Sequence, residues 1–430
     1  MTIGKSVIAM WSRTFVNIIV GVVAVRLTLT ALGVDDYGLL CVVSGAAAVL
    51  AFLFNAMTDA SQRYISYSLE QKEDFNSELN TMLTINIALC AIVVAMSETL
   101  GVYILEKYIT IPPSRAYAAK CVWHASVAGW CLMLLRTPYM GTLVATERFA
   151  ALAGLGIAES VLKLGAASLL FYINGDLVAI YILLILIGNM VITISHKIYC
   201  AKKLHTTWSG FRFKTARAKE MLKFSAWTII GDAAKSVSFS GTTIVINMIC
   251  GVAVSAAVGI GAQVYAAFVM LIAGLAQALM PSIMRNYFGK KNFFLFSVKV
   301  SLLSALLMMV ISTPLLLLLN PILQLWLGDI PAYTIEFIVW LIILSYIDAF
   351  VKPMWYALQS TGRIAIYQII YSILLVIQIP IIYYLLKNTG NPETAYQVRI
   401  GAMAITAIAL SLILWKYSKH GKSISYNTNI

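Results

Sequence analysis

Charge is what this sequence has least of. Only 11% of its 430 residues are Asp, Glu, Lys or Arg, against about a quarter in soluble domains. With 60% of residues hydrophobic, the bilayer is the chain's main solvent and no soluble domain is needed. The six cysteines, Cys41, Cys90, Cys121, Cys131, Cys200 and Cys250, contain no C-x-x-C pair and no metal-like spacing, which leaves them as small apolar side chains. A G-x-x-x-x-G-K-[ST] phosphate loop is missing too, so nothing points to nucleotide hydrolysis. The opening MTIGKSVIAMWSRTF runs on past Leu27 without a small-residue cleavage site, so the first helix is expected to be retained.

What is present is a succession of apolar runs of spanning length, at about 20 residues each. They lie at 7–32, 38–58, 81–103, 116–138, 149–172 and 178–200, and again at 225–249, 254–283, 294–319, 332–350, 364–387 and 395–415. This predicts an all-α integral membrane protein of about twelve spans in two six-helix lobes. The first lobe would occupy residues 1–200, a basic cytoplasmic linker 201–223, the second lobe 224–415 and a tail 416–430.

The formal net charge of +13 does not imply nucleic acid, because the basic residues fall in the gaps between apolar runs. With the N-terminus inside, the inner segments hold about 19 Lys and Arg and the outer ones about 5, the asymmetry that marks the cytoplasmic face. Inner ones include Arg63 and Lys72, Arg148, the group from Lys202 to Lys223, Lys290 and Lys291, Arg363 and Lys422; outer ones include Lys107, Arg115 and Lys120. Both termini are expected in the cytoplasm. The linker reads as a topology anchor that attracts anionic headgroups, with a regulatory or partner role as the alternative.

The two sets of spans also share a motif. P-Y-M-G-T-L-V-A-T-E-R-F-A from Pro138 and P-M-W-Y-A-L-Q-S-T-G-R-I-A from Pro353 repeat Pro, Leu, Thr, Arg and Ala in register. An even number of spans separates the copies, so the lobes should be related by a pseudo-two-fold axis along the membrane normal. Transporters built this way bind substrate between their halves and rock one against the other.

A-L-G-V-D-D-Y-G from Ala31 to Gly38, followed by N-A-M-T-D-A-S-Q-R-Y-I-S from Asn55 to Ser66, resembles the polysaccharide or O-antigen flippases (Wzx) of the multidrug/oligosaccharidyl-lipid/polysaccharide (MOP) exporter superfamily. The resemblance implies a MATE/MurJ-like helical fold in a bacterial inner membrane. It also implies export of an undecaprenyl-pyrophosphate-linked oligosaccharide to the outer leaflet for surface polysaccharide, O-antigen or lipopolysaccharide among them. Membrane lipids and a glycan polymerase would be its partners. Physically, Gly33 and Gly38 suit a tight outer turn, Asp35 can cap the second helix, and Arg63 can anchor at headgroups or meet an entering pyrophosphate.

Charges inside spans are the informative minority, since each costs roughly 2.5–3.5 kcal/mol at mid-membrane. Arg26 either snorkels to the outer interface or lines a cavity, and it falls opposite the face shared by Arg13 and Asn17. Glu159 and Lys163 stand at i, i+4, in the favourable order for a local ion pair; Asp232 and Lys235 stand at i, i+3. Either pair is structural, or Lys163 and Lys235 bind phosphate from a common cavity while Glu159 and Asp232 carry a coupling ion. Asp348 can pair with Lys352. No metal or organic cofactor is expected; coupling to H+ or Na+ stays open. The rival reading is a cation-coupled multidrug exporter of the same superfamily, which would want unpaired carboxylates. An enzyme is disfavoured, because the longest outer connection is about a dozen residues around Glu106 to Arg115.

The charge asymmetry makes a direct prediction. A fluorescent protein fused after His420 should fold and fluoresce, and alkaline phosphatase fused at Ser114 should be active. The opposite pair of results would invert the orientation.

Overall fold

The computed structural model describes residues 3–70, 75–207, 215–288, 293–361 and 364–420. Residues 208–214 of the basic linker, Lys72, Lys290, Lys291, Arg363 and the tail from residue 421, with Lys422, lie outside the described residues. In chain order the α-helices are α1 (Ile3–Ala47), α2 (Ala51–Glu70), α3 (Phe75–Met96), α4 (Val102–Tyr108), α5 (Ala116–Ala145), α6 (Phe149–Leu169) and α7 (Leu177–Leu204). They are followed by α8 (Thr215–Phe288), α9 (Phe293–Leu317), α10 (Leu319–Leu327), α11 (Thr334–Ser360), α12 (Ala365–Thr389) and α13 (Thr394–His420).

Among the described residues, 10 helical stretches are long and apolar enough to cross a membrane. Two of them, Thr14–Leu69 with 56 residues and Ile230–Ala273 with 44, would extend roughly 84 and 66 Å at 1.5 Å per residue, against a hydrocarbon core of about 30 Å. Each is long enough for two crossings, which makes twelve in all. The chain is thus a multi-pass, all-α membrane protein.

Each long stretch bends at one glycine. Gly33 has φ 78 and ψ 173, and Gly251 has φ 83 and ψ −176. A side chain is disfavoured in this backbone region, so the tight turn expected at Gly33 recurs at the corresponding place in the second half. Gly38 does something else. It lies within helix, and a Cβ there would sit 1.9 Å from the carbonyl oxygen of Val252, so glycine is what lets the two segments touch.

Two compact units emerge, Met1–Gly259 and Ile260–Ile430, with α8 running through the boundary. In the first unit α1 packs on α6, α2 and α7 pack on α5, and α3 also leans on α5. In the second, α11 packs on α9 and α13, and α12 on α13. The outward faces are apolar: Leu183, Ile187, Met190, Ile194 and Ile198 recur at helical spacing along α7, all exposed, as a lipid-facing stripe requires. Cys200 is buried, the other five cysteines are half-buried, and all six are free thiols.

α5 carries Pro138 in its interior. Proline has no N–H to give the carbonyl of Leu134 one turn earlier, and in hydrocarbon an orphaned carbonyl is expensive. The buried amide of Asn86 on α3 supplies the missing donor at 2.8 Å, and its Nδ2 also reaches Thr137 Oγ1 at 3.0 Å. Thr137 in turn donates to the same carbonyl at 2.9 Å.

At the Gly33 end of the first unit, Arg115 pairs with Asp36, next to the turn, and lies 3.6 Å from Asp176, which caps α7 by accepting from Ala179 N at 3.3 Å. Asp36, not Asp35, is therefore the working acid of the A-L-G-V-D-D-Y-G motif; Asp35 is exposed and makes no hydrogen bond or ion pair among the described residues.

Replacing Asn86 with Leu should lower stability by about 1–2 kcal/mol, because it strips the Leu134 carbonyl of its interhelical donor. A fall in the unfolding temperature of the detergent-purified protein is the expected readout.

Candidate functional site

The charged interior of the first unit is built on α1, α2, α5, α6 and α8. α6 buries one face through Leu152, Ala153, Gly156, Ala166 and Ala167 and packs along α1. Ser160, on that side, donates to Asn17 Oδ1 of α1 at 2.6 Å.

Glu159 is ion-paired, though not to Lys163. Its carboxylate takes the fork of Arg136 on α5, with Nη1 to Oε2 at 3.0 Å and Nη2 to Oε1 at 3.3 Å. Bidentate geometry of this kind is the strongest ion pair a guanidinium makes, and Arg136 is 3% exposed. The i, i+4 pair expected from spacing is thereby displaced: a planar fork in a fixed place outcompetes a flexible ammonium one turn away. Arg136 was overlooked in the sequence, although a lone arginine two residues before a mid-span proline was there to be seen.

Lys163 consequently makes no hydrogen bond or ion pair among the described residues; Glu159 and Cys41 lie within its electrostatic reach. Its side chain is exposed although Gly156, Ala166, Ala167 and Leu170, within two turns of it on the same face, are buried. An exposed side chain rising from a buried helix face looks into a cleft, since a lipid-facing residue would have exposed neighbours above and below it.

Asp232 and Lys235 on α8 form the local pair expected of them, at 3.8 Å, with Lys235 the more exposed partner. Asp59 on α2 lies within electrostatic reach of Asp232. The second apolar run ends on paper just before Asp59, but α2 continues to Glu70. Arg63 is accordingly a helical residue, and Asn55, Asp59, Arg63 and Tyr67 form one exposed stripe along α2. Arg26 shares an exposed stripe of α1 with Phe15, Ile19, Val23 and Thr30, opposite the face that carries Asn17 to Ser160. The apolar hollow lined by Leu50, Leu53, Phe54, Val93, Trp130, Cys131 and Leu134 has no charged wall and is not the site.

In the second unit Asp348 accepts from the hydroxyl of Tyr265. That tyrosine, 83 positions before Asp348, is a partner that local spacing could not have suggested.

Comparison with known proteins bears on the fold alone. No family model matches the chain, and no curated protein does. Solved structures do. An inward-facing multidrug resistance MATE family transporter of the MOP superfamily superposes with a TM-score of 0.76 at 15% identity, covering 96% of each chain. A MOP superfamily transporter from Pyrococcus furiosus, described as having a binding pocket of reverse polarity, gives 0.56 at 13% identity over 97% of this chain and 94% of its own. A eukaryotic MATE transporter gives 0.58 at 13% identity over 97% and 96%. The fold is that of MATE transporters of the MOP superfamily.

The cleft assignment can be checked residue by residue. In a background lacking the six native cysteines, K163C should react with a water-soluble thiol reagent while A166C and A167C stay unlabelled. Equal labelling of all three would remove the cleft.

Proposed function

We propose that this chain is a transporter that carries an anionic, undecaprenyl-pyrophosphate-linked oligosaccharide from the cytoplasmic to the outer leaflet of a bacterial inner membrane, for surface polysaccharide synthesis. The observation that carries the reading is Lys163, a cation inside a membrane protein, open to a cleft and with no counter-charge bonded to it. A lone charge in that setting is expensive and becomes affordable when the cargo supplies the opposite sign. Arg26, Arg136 and Lys235 are further bases, and Asp59, Glu159 and Asp232 acids, within the spans of the first unit. Arg63, on the exposed stripe of α2 beyond Asp59, is placed to meet a phosphate entering from the inner leaflet.

The fold supports transport. Helical exporters of this build move their cargo by alternating access, and nothing in the reading calls for bond chemistry by the protein. An anion leaving the cell also gains about 2.3 kcal/mol per unit charge per 100 mV of inside-negative potential. Asp232, with a counter-ion only at 3.8 Å, is better placed than the clamped Glu159 to exchange a coupling H+ or Na+. Membrane lipids and the glycan polymerase remain the expected partners.

A second reading, a cation-coupled multidrug exporter, draws on the solved neighbours, whose descriptions include multidrug resistance transporters, and on the exposed carboxylate of Asp59. The unbonded cation of Lys163 favours the anionic cargo. In the Pyrococcus furiosus protein it is reversed pocket polarity that is said to suggest a different function, so sign is an informative criterion within this fold.

Complementation decides between the two. In a strain lacking its glycan flippase, the wild-type chain and K163R should restore surface polysaccharide, while K163A should lose most of it. Rescue of drug tolerance without rescue of glycan would favour the multidrug reading.

A further inference from the structure

We infer that Arg136 is a positioning residue that keeps Lys163 free: by holding Glu159 in its fork it prevents the carboxylate from neutralising the lysine one turn away. The inference rests on the anionic-cargo reading and adds to it how the binding charge is kept available.

Left to itself, the segment Glu159 to Lys163 would close on itself. The two side chains share a helix face at i, i+4, with Glu on the N-terminal side, the order that favours a pair. In a poorly hydrated interior the attraction is stronger than on a surface helix. A closed pair would have no net charge and would hold nothing. The structure shows what intervenes: both guanidinium Nη atoms of Arg136 meet both carboxylate oxygens, at 3.0 and 3.3 Å.

Burial makes the arrangement one-directional. Arg136 is 3% exposed and its Nε is buried with no hydrogen-bond partner, so the guanidinium has no substitute for Glu159 among the described residues. Lys163, exposed to the cleft, can be solvated or can take an anion. Surrendering Glu159 would therefore strand Arg136, at the high penalty of an uncompensated buried charge, while Lys163 tolerates its loss. The carboxylate goes to the partner that cannot do without it.

The position of Arg136 follows from α5. It stands two residues before Pro138, and the carbonyl of Leu134 on the same turn is tied to α3 by Asn86. The fork is thus presented from backbone pinned on both sides, as a side chain that must reach across to a neighbouring helix requires.

The test uses the full chain in detergent and scores Lys163 by reductive methylation and mass spectrometry, a readout that does not depend on cargo. R136Q should slow modification of Lys163 roughly tenfold, because a released Glu159 at contact distance holds the proton on the amine. R136Q/E159Q should restore the wild-type rate, since no carboxylate remains to close on the lysine, and R136K should fall between wild type and R136Q, because an ammonium holds the carboxylate less firmly than the fork. Glycan export in cells should follow the same order: lost in R136Q, recovered in R136Q/E159Q. A buried arginine that merely braced α5 against α6 would not be rescued by removing its partner. Unchanged labelling in R136Q overturns the inference. So does an R136Q that fails to fold while the double variant folds, because the freed carboxylate would then have found no lysine. Labelling that obeys the pattern while export does not would leave the clamp standing and count against the anionic cargo.

Discussion

Two opposite charges inside a membrane protein hold each other in place, and the bond between Arg136 and Glu159 decides the electrostatics of everything near it. Neither group is tolerable there alone. Their union makes the joint between α5 and α6 polar yet closed, and it leaves the next basic group along α6 without a mate. A cleft that would otherwise be neutral acquires a sign. That sign separates the proposed reading as a carrier of anionic glycolipid from the reading as a carrier of cationic drugs.

The architecture was largely legible in the sequence. Length of apolar runs is a nearly sufficient signal in a bilayer, because the backbone must satisfy itself and a helix does so within one segment. Hence twelve crossings could be placed before any coordinates, as could the turn at Gly33. Boundaries failed where a helix outlasts its apolar stretch. Asp59 and Arg63 end the run on paper, but α2 continues to Glu70 because the residues beside them still bury one side, with Ala60, Ser61 and Ile65 inside. The short helix α10 lies beyond the apolar run that ends at residue 319; Leu319, Leu323 and Leu327 at four-residue spacing form its buried edge.

The site was legible only in part, and the reason is distance along the chain. Asp232 and Lys235 pair as neighbours should. Glu159 does not, since its partner lies on another helix and no periodicity within α6 can announce that. Asp348 likewise takes a hydroxyl from Tyr265 on α8, a contact that no spacing along α11 announces. Local rules describe what a helix would do in isolation; where a competitor with better geometry arrives from elsewhere, they name the right residue and the wrong mate.

The asparagine that tends the carbonyl beneath Pro138 has an evolutionary corollary. Asn86 and Pro138 are tolerable together and awkward apart: reverting the proline restores a backbone donor and leaves a hungry amide in the core, while losing the asparagine exposes the defect that the proline created. Drift at either position should drag the other with it, so that homologous chains would be expected to carry both residues or neither.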